Sequence, residues 1–322
     1  MLKRIWIKKI IVTSLALCAL LLLYLMPVSN ETDYELSSTN IEYVYTNAKE
    51  VIYLLDSNDY VARTTIKGCD CDTLETSKDV LQGLIIGGEK NNIIPNGFRS
   101  IIPSGTEVLD VSLDDKILTI NFSKELLDIN DKYEDKMIEA IIYSLTSIDG
   151  IDKVVIKVEG EVLTKLPNSG KNLPVVLDKS YGINKNYDIV TTNDIDSYTV
   201  YYVSNFNDNE YYVPVTKYVN TTKKDKVKVI IDELSTSPIY ETNLMSFLSS
   251  NVSLIDYSMN EKTLSLNFND YILSDASSDK ILEEVIYTIN LSVLDNFDVE
   301  NLQILVNNEK IYENSLKTID IK

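Results

Sequence analysis

The chain has 322 residues, 44% of them apolar and 25% charged, with 49 acids against 30 bases. That is a globular composition with room for two domains of ordinary size. The net charge is -19; all charges in residues 1–30 are basic (Lys3, Arg4, Lys8, Lys9), so beyond them 26 bases face 49 acids. Such a surface repels phosphate backbones and anionic headgroups, which excludes nucleic acid as a partner. Histidine is absent, and with it the commonest general base, the commonest metal ligand and every Ser-His or Cys-His nucleophile pair. No enzyme activity, cofactor or metal is expected.

After a basic segment at residues 1–9, residues 10–26 run from Ile10 to Met26 without a charge. At about 1.5 Å per residue this stretch reaches across much of a bilayer core, with Ile5, Trp6 and Ile7 to extend it. Basic residues before it and acidic ones after it put the N-terminus inside and the remainder outside a cell membrane. A cleaved signal, a retained anchor and a lipoprotein signal all use such a segment. Lipidation at Cys18 is disfavoured because Leu17 stands where a lipobox has a small residue, and Tyr24-Leu25-Met26-Pro27 offers no small-x-small cleavage pattern. The expectation is a single-pass anchor, followed by a linker at 27–43.

Two further cysteines lie in Gly68-Cys69-Asp70-Cys71-Asp72. Cys69 and Cys71 are read as a local disulfide or a thiol pair, with a redox site as the sharper alternative. A metal reading lacks further cysteine or histidine ligands.

The informative feature is an internal repeat. Residues 107–122 (EVLDVSLDDKILTINF) match 253–268 (SLIDYSMNEKTLSLNF) at an offset of 146, pairing Asp110 with Asp256, Lys116 with Lys262, and Asn121-Phe122 with Asn267-Phe268. Ile141-Ile142-Tyr143-Ser144 is set against Val285-Ile286-Tyr287-Thr288, and Val154-x-Ile156-x-Val158 against Leu302-x-Ile304-x-Val306. Leu109, Val111 and Leu113 alternate, then Leu118, Ile120 and Phe122, predicting a hairpin with one buried face; Ile255, Tyr257, Met259 and Leu264, Leu266, Phe268 repeat it. Helices are predicted from Val80, Leu81, Leu84, Ile85; from Ile138, Ile141, Ile142, Leu145, Ile148, started by an Asp131–Glu134 cap; and from Val227, Ile230, Ile231, Leu234 and Leu282, Val285, Ile286, Ile289, Val293. Earlier strand pairs lie at Val51–Leu55 with Tyr60–Ile66, and Val200–Val203 with Tyr211–Val215.

The predicted fold class is α+β: two tandem sheet-plus-helices sandwiches in the order ββαββαβ. The domains are 44–180 and 197–316, joined by a polar linker at 181–196 and followed by a tail at 317–322. Paired acids such as Asp131 with Asp135, or Asp279 with Glu283, are read as solvated helix faces and not as acid and base. Asp110 and Asp256 are read as solvent-face charges that discourage stray strand pairing. Tyr201-Tyr202 and Tyr211-Tyr212 cannot make a flat sugar-stacking platform, because neighbours on a strand face opposite ways.

The run Ile102-Pro103-Ser104-Gly105-Thr106-Glu107-Val108-Leu109, followed by Leu118-Thr119-Ile120-Asn121-Phe122-Ser123, resembles the GerMN domain. Val158-Glu159-Gly160-Glu161-Val162 looks like its last strand and turn. The second copy departs from the motif, with Ser249-Ser250-Asn251-Val252 for the IP-x-G-T loop and Asn307-Asn308-Glu309 for Glu-Gly-Glu. The resemblance implies a ring-building type of module and a non-catalytic sporulation or germination role. In that role the domains assemble or position an envelope protein complex, such as the engulfment channel between mother cell and forespore. A module that binds peptidoglycan, or is associated with an envelope sensor, is the alternative.

Overall fold

The computed structural model describes residues 49–316 apart from Asp70, 221–224, 237–242 and 276–277. Residues 10–26 and Cys18 lie outside the described residues, as does the 317–322 tail. Among the described residues no helix is long and apolar enough to cross a membrane. Thr46–Lys322 forms one compact unit.

The first copy opens with β1 (Lys49–Leu55) and β2 (Val61–Lys67), followed by α1 (Thr73–Leu84), β3 (Val108–Asp114), β4 (Ile117–Phe122), α2 (Glu134–Leu145), β5 (Lys153–Val158) and β6 (Glu161–Val162). A short β7 (Asn186–Asp188) precedes the second copy. That copy runs β8 (Ile195–Phe206), β9 (Asn209–Asn220), α3 (Lys226–Ser235), β10 (Leu254–Asn260), β11 (Thr263–Phe268), the two-strand insertion β12 (Leu273–Asp275) and β13 (Ser278–Ile281), α4 (Glu283–Asn296), β14 (Asn301–Val306) and β15 (Glu309–Ser315). Each copy therefore ends with one strand more than the sequence pattern predicts.

The two four-stranded sheets have the same order, β3-β4-β5-β6 and β10-β11-β14-β15. β4 runs parallel to β5, pairing Leu118 with Val154, Ile120 with Ile156 and Phe122 with Val158. β11 and β14 pair Leu264 with Leu302, Leu266 with Ile304 and Phe268 with Val306. A parallel pair needs a crossover, and α2 and α4 supply it. α2 is buried almost all round, from Met137 to Leu145, because it lies between β1 on one side and β5 on the other. A helix buried on every side belongs between layers.

Local chemistry sets the element ends. Asp72 caps α1 by accepting from the Glu75 N–H at 3.0 Å, and Asp225 caps α3 from the Val227 N–H at 3.1 Å. The expected Asp131–Glu134 cap is absent: Tyr133 stands at the N-cap and its side chain makes no capping bond. The Glu134 carboxylate instead accepts from the Asn168 and Ser169 N–H groups at 2.8 and 3.0 Å. Leu282, expected in the α4 stripe, is its exposed N-cap residue, and Asp279 lies on β13 and not on a helix.

Two strand readings also change. Leu109 and Ile255 are 47% and 51% exposed, because each sits at a register shift, between Val108 and Asp110 and between Leu254 and Asp256. A bulge inserts a residue and breaks the alternation on which the reading rested. Met259, read as part of the same buried face, is 46% exposed. The linker at 181–196 is not free chain. β7 pairs in parallel with β9 over Lys217–Val219, and β8 already begins at Ile195.

Candidate functional site

The two copies meet along one five-stranded sheet, in which β2 and β7 pair with one edge of β9 and β8 with the other. Direct pairing of β2 with β9 is confined to Arg63 opposite Tyr212. Pro214 has no N–H to offer a ladder, and next to it Asn184 does the work of a strand. Its side-chain amide donates to Val61 O and Pro214 O, both at 2.8 Å, and its carbonyl accepts from Val61 N at 2.9 Å. The Asn184 N–H goes to Glu139 Oε2 at 2.9 Å, and φ is 45° there, a left-handed conformation that asparagine tolerates. Beside it, a Cβ on Gly182 would lie 2.7 Å from the Tyr218 hydroxyl, and φ is 79°; this close approach needs glycine.

Glu139 and Lys185 form a buried ion pair at 2.7 Å next to this wedge. Burial raises the Glu139 carboxyl, against the lowering pull of Lys185. Asp135, read from sequence as solvated surface, is instead paired with Lys171 at 3.0 Å and bonded to the Tyr181 hydroxyl.

A second polar cluster joins the copies at their pseudo-equivalent tyrosines. Tyr53 and Tyr201 are both fully buried, with hydroxyls 2.9 Å apart. Tyr201 donates to Asp295 Oδ2 at 2.6 Å, and Lys179 reaches Asp295 Oδ1 at 2.6 Å. Burial and the Asp295 charge push the Tyr201 hydroxyl far above the usual phenol range, so it stays a donor. Burial works against the Lys179 charge, but Asp295 outweighs it and holds the ammonium above its ordinary value. Each tyrosine N–H is taken by a helix serine: Tyr53 N to Ser144 Oγ at 2.8 Å, and Tyr201 N to Ser292 Oγ at 3.0 Å.

These groups form one wall of a cleft of about 790 Å³ between the copies, lined also by Lys49, Arg63, Cys71, Thr73 and Thr76. The structure joins Cys69 to Cys71 in a disulfide, with Cα atoms 5.2 Å apart. Among the described residues no group of three or more acids and cysteines is arranged to hold a metal ion. Asp110 and Asp256 lie exposed on β3 and β10, away from the cleft lining. All four paired tyrosines are buried: Tyr202 and Tyr211 join one core, Tyr201 and Tyr212 another.

The sequence reading missed Asn184, Lys179, Asp295 and Arg63. One available signal was the repeat itself. By role Ser144 pairs with Ser292, an offset of 148, whereas the apolar stripes of the two helices match at 144. Four residues are about one helical turn, so an apolar stripe cannot reveal that slip. At 148, Tyr53 falls on Tyr201.

A doubled sheet-and-helix module, its halves sewn into one sheet, defines a tandem GerMN-type protein. The family model described as "Germane: Sporulation and spore germination" matches residues 51–164 and 199–312, and the chain belongs to this family. It is 31% identical over 263 residues to the spore germination protein GerM of Bacillus subtilis (strain 168), spanning 80% of this chain and 70% of that protein. The solved tandem GerMN domains of the sporulation protein GerM from Bacillus subtilis superpose with a TM-score of 0.75 at 30% identity. They cover 81% of this chain and 92% of that one. The chain is thus a GerM-like sporulation and germination protein with two GerMN domains.

Proposed function

We propose that this protein is a non-catalytic assembly element on the outer face of the membrane, which positions an envelope complex during sporulation or germination by protein–protein contact. The observation that carries the reading is the sewn junction. Asn184 and the Tyr53–Tyr201–Asp295–Lys179 cluster fix two related modules in one geometry, which suits a spacer or template better than a hinged enzyme. Membrane attachment through residues 10–26 and a channel-type partner belong to this proposal. The repeated apolar bulge residues, Leu109 and Ile255 on the edge strands β3 and β10, are the contact points it favours.

A fluorescent fusion whose tag survives export, followed through sporulation, tests the proposal. Enrichment at the septum and engulfing membranes is the expected result. Uniform envelope signal in growing cells, unchanged on sporulation, overturns it and favours the wall- or sensor-associated reading.

A further inference from the structure

Arg63 is one of only three arginines in a chain with 49 acids, yet among the described residues its guanidinium has no hydrogen bond or ion pair. Arg99, by contrast, is held by Asp59. Arg63 stands directly between Tyr53 on β1 and Tyr212 on β9, and directly opposed residues share a face of the sheet. Its side chain lines the cleft between the copies, together with Lys49 and Lys179. Lys179 is already committed to Asp295, and Asp152, also on the wall, to Lys116 at 3.2 Å.

We propose that Arg63 is the anchor of a ligand site in this cleft, and that the ligand is the terminal carboxylate of a short peptide. A guanidinium fork is built to take a carboxylate with two parallel N–H bonds. A cleft of about 790 Å³ lies within the size range of small-ligand sites and holds a few residues. Glu50 and Asp149 also line the walls, so a dianion such as phosphate meets more repulsion than a singly charged carboxylate. Thr73 and Thr76 on the α1 side offer hydroxyls to a peptide backbone. Leu291 and Leu294 on the opposite copy give it apolar surface. This site does not depend on the assembly reading above.

The sequence provides the probe. Residues 46–322, which form one compact unit with their own cores, contain two arginines, Arg63 and Arg99, so their side-chain Nε–H region in a ¹⁵N spectrum holds two signals. Titration uses Nα-acetyl-dialanine in its L,L and D,D forms, with the C-terminal amides as controls. The Arg63 signal is expected to move saturably with one or both acids and not with the amides, while Arg99 stays still. Response to the L,L form assigns the ligand to a protein terminus, and response to the D,D form to a wall stem peptide. Arg63→Gln is expected to weaken binding, read from the Tyr201 amide, by about tenfold or more, and Arg63→Lys to restore it in part. No shift at Arg63, or equal shifts with acid and amide, overturns the proposal. Unchanged affinity in a folded Arg63→Gln variant does the same.

Discussion

The two copies solve the same problems with different residues, and the contrast separates what the fold demands from what the protein has added. Lys116 pairs with Asp152 in one copy, and Lys262 with Asp298 in the other. Asn121 Oδ1 accepts from Gly160 N at 2.8 Å, and Asn267 Oδ1 from Asn308 N at 2.9 Å. The turn they hold needs two left-handed residues, Glu159 and Gly160 in the first copy and Asn307 and Asn308 in the second. Asparagine substitutes there because its short side chain tolerates that region. Ser123 Oγ receives Glu107 N at 2.9 Å, whereas Asn269 Oδ1 receives Ser253 N at 3.1 Å. The second copy thus keeps both hydrogen bonds, with the same atoms at the turn and an amide oxygen in place of a hydroxyl at Asn269. At the junction the symmetry stops. Asp295 stands where the first copy has Ser147, Leu291 where it has Tyr143, and the disulfide occurs in the first copy alone.

The hardest blow to this pairing of copies is expected from Asn184→Ala. It removes three side-chain bonds at the seam and leaves Val61 without its partners, at a cost of about 2–4 kcal/mol. Denaturant unfolding followed by two probes, one in each copy, is expected to change from one shared transition to two. Coincident transitions would show that the copies are coupled elsewhere. Next in size come Ser144→Ala and Ser292→Ala. Each orphans one buried tyrosine N–H and is expected to cost about 1–3 kcal/mol; clearly unequal losses would mean that the strand–helix clamp is not equivalent in the two copies.

A smaller effect isolates a feature of the first copy alone. Asp59, in the β1–β2 turn, is held by hydrogen bonds from Lys132, Arg99 and the Tyr133 hydroxyl, with the Lys132 bond foremost, and its pKa falls from 3.8 to about 2. A depressed carboxyl stabilises the folded state above its unfolded pKa, and that contribution disappears as the pH falls from 3.8 through about 2. Asp59→Asn is therefore expected to be less stable than the native chain at neutral pH, and the two stability curves should converge in that acid window. A constant gap down to pH 2 would remove Asp59 from the account. Least of all, Leu109→Ala and Ile255→Ala are expected to stay within about 0.5 kcal/mol of native stability while reducing crosslinking to envelope partners. A large loss of stability would mean that the bulges belong to the cores.

The doubled architecture was legible because its carriers are periodic. Leu118, Ile120 and Phe122, like Leu264, Leu266 and Phe268, alternate in sequence and are all buried in the structure. The bulges at Leu109 and Ile255 were not legible, since an inserted residue looks like continued alternation until a partner strand is placed beside it. The junction was less legible still. Asn184 and Lys185 sit in a polar, aperiodic stretch that reads as linker, and only the approach of β2 and β9 makes an amide side chain worth a strand there. Lys179 and Asp295 are 116 residues apart and belong to no motif. Arg63 was distinguished by rarity, but rarity alone gave it no address.

The seam also has a consequence in time. A chain made from its N-terminus completes the first core once Leu177 and Ile183 are available, since both belong to it. The outer edge of β2, however, must wait for Tyr212. Until then the first module stands finished but unhemmed, with an open strand edge of the kind that recruits stray chains. Asn184 leaves the ribosome before β9, and its bonds to Val61 and Glu139 lie within the first copy, so only its bond to Pro214 O needs the later strand.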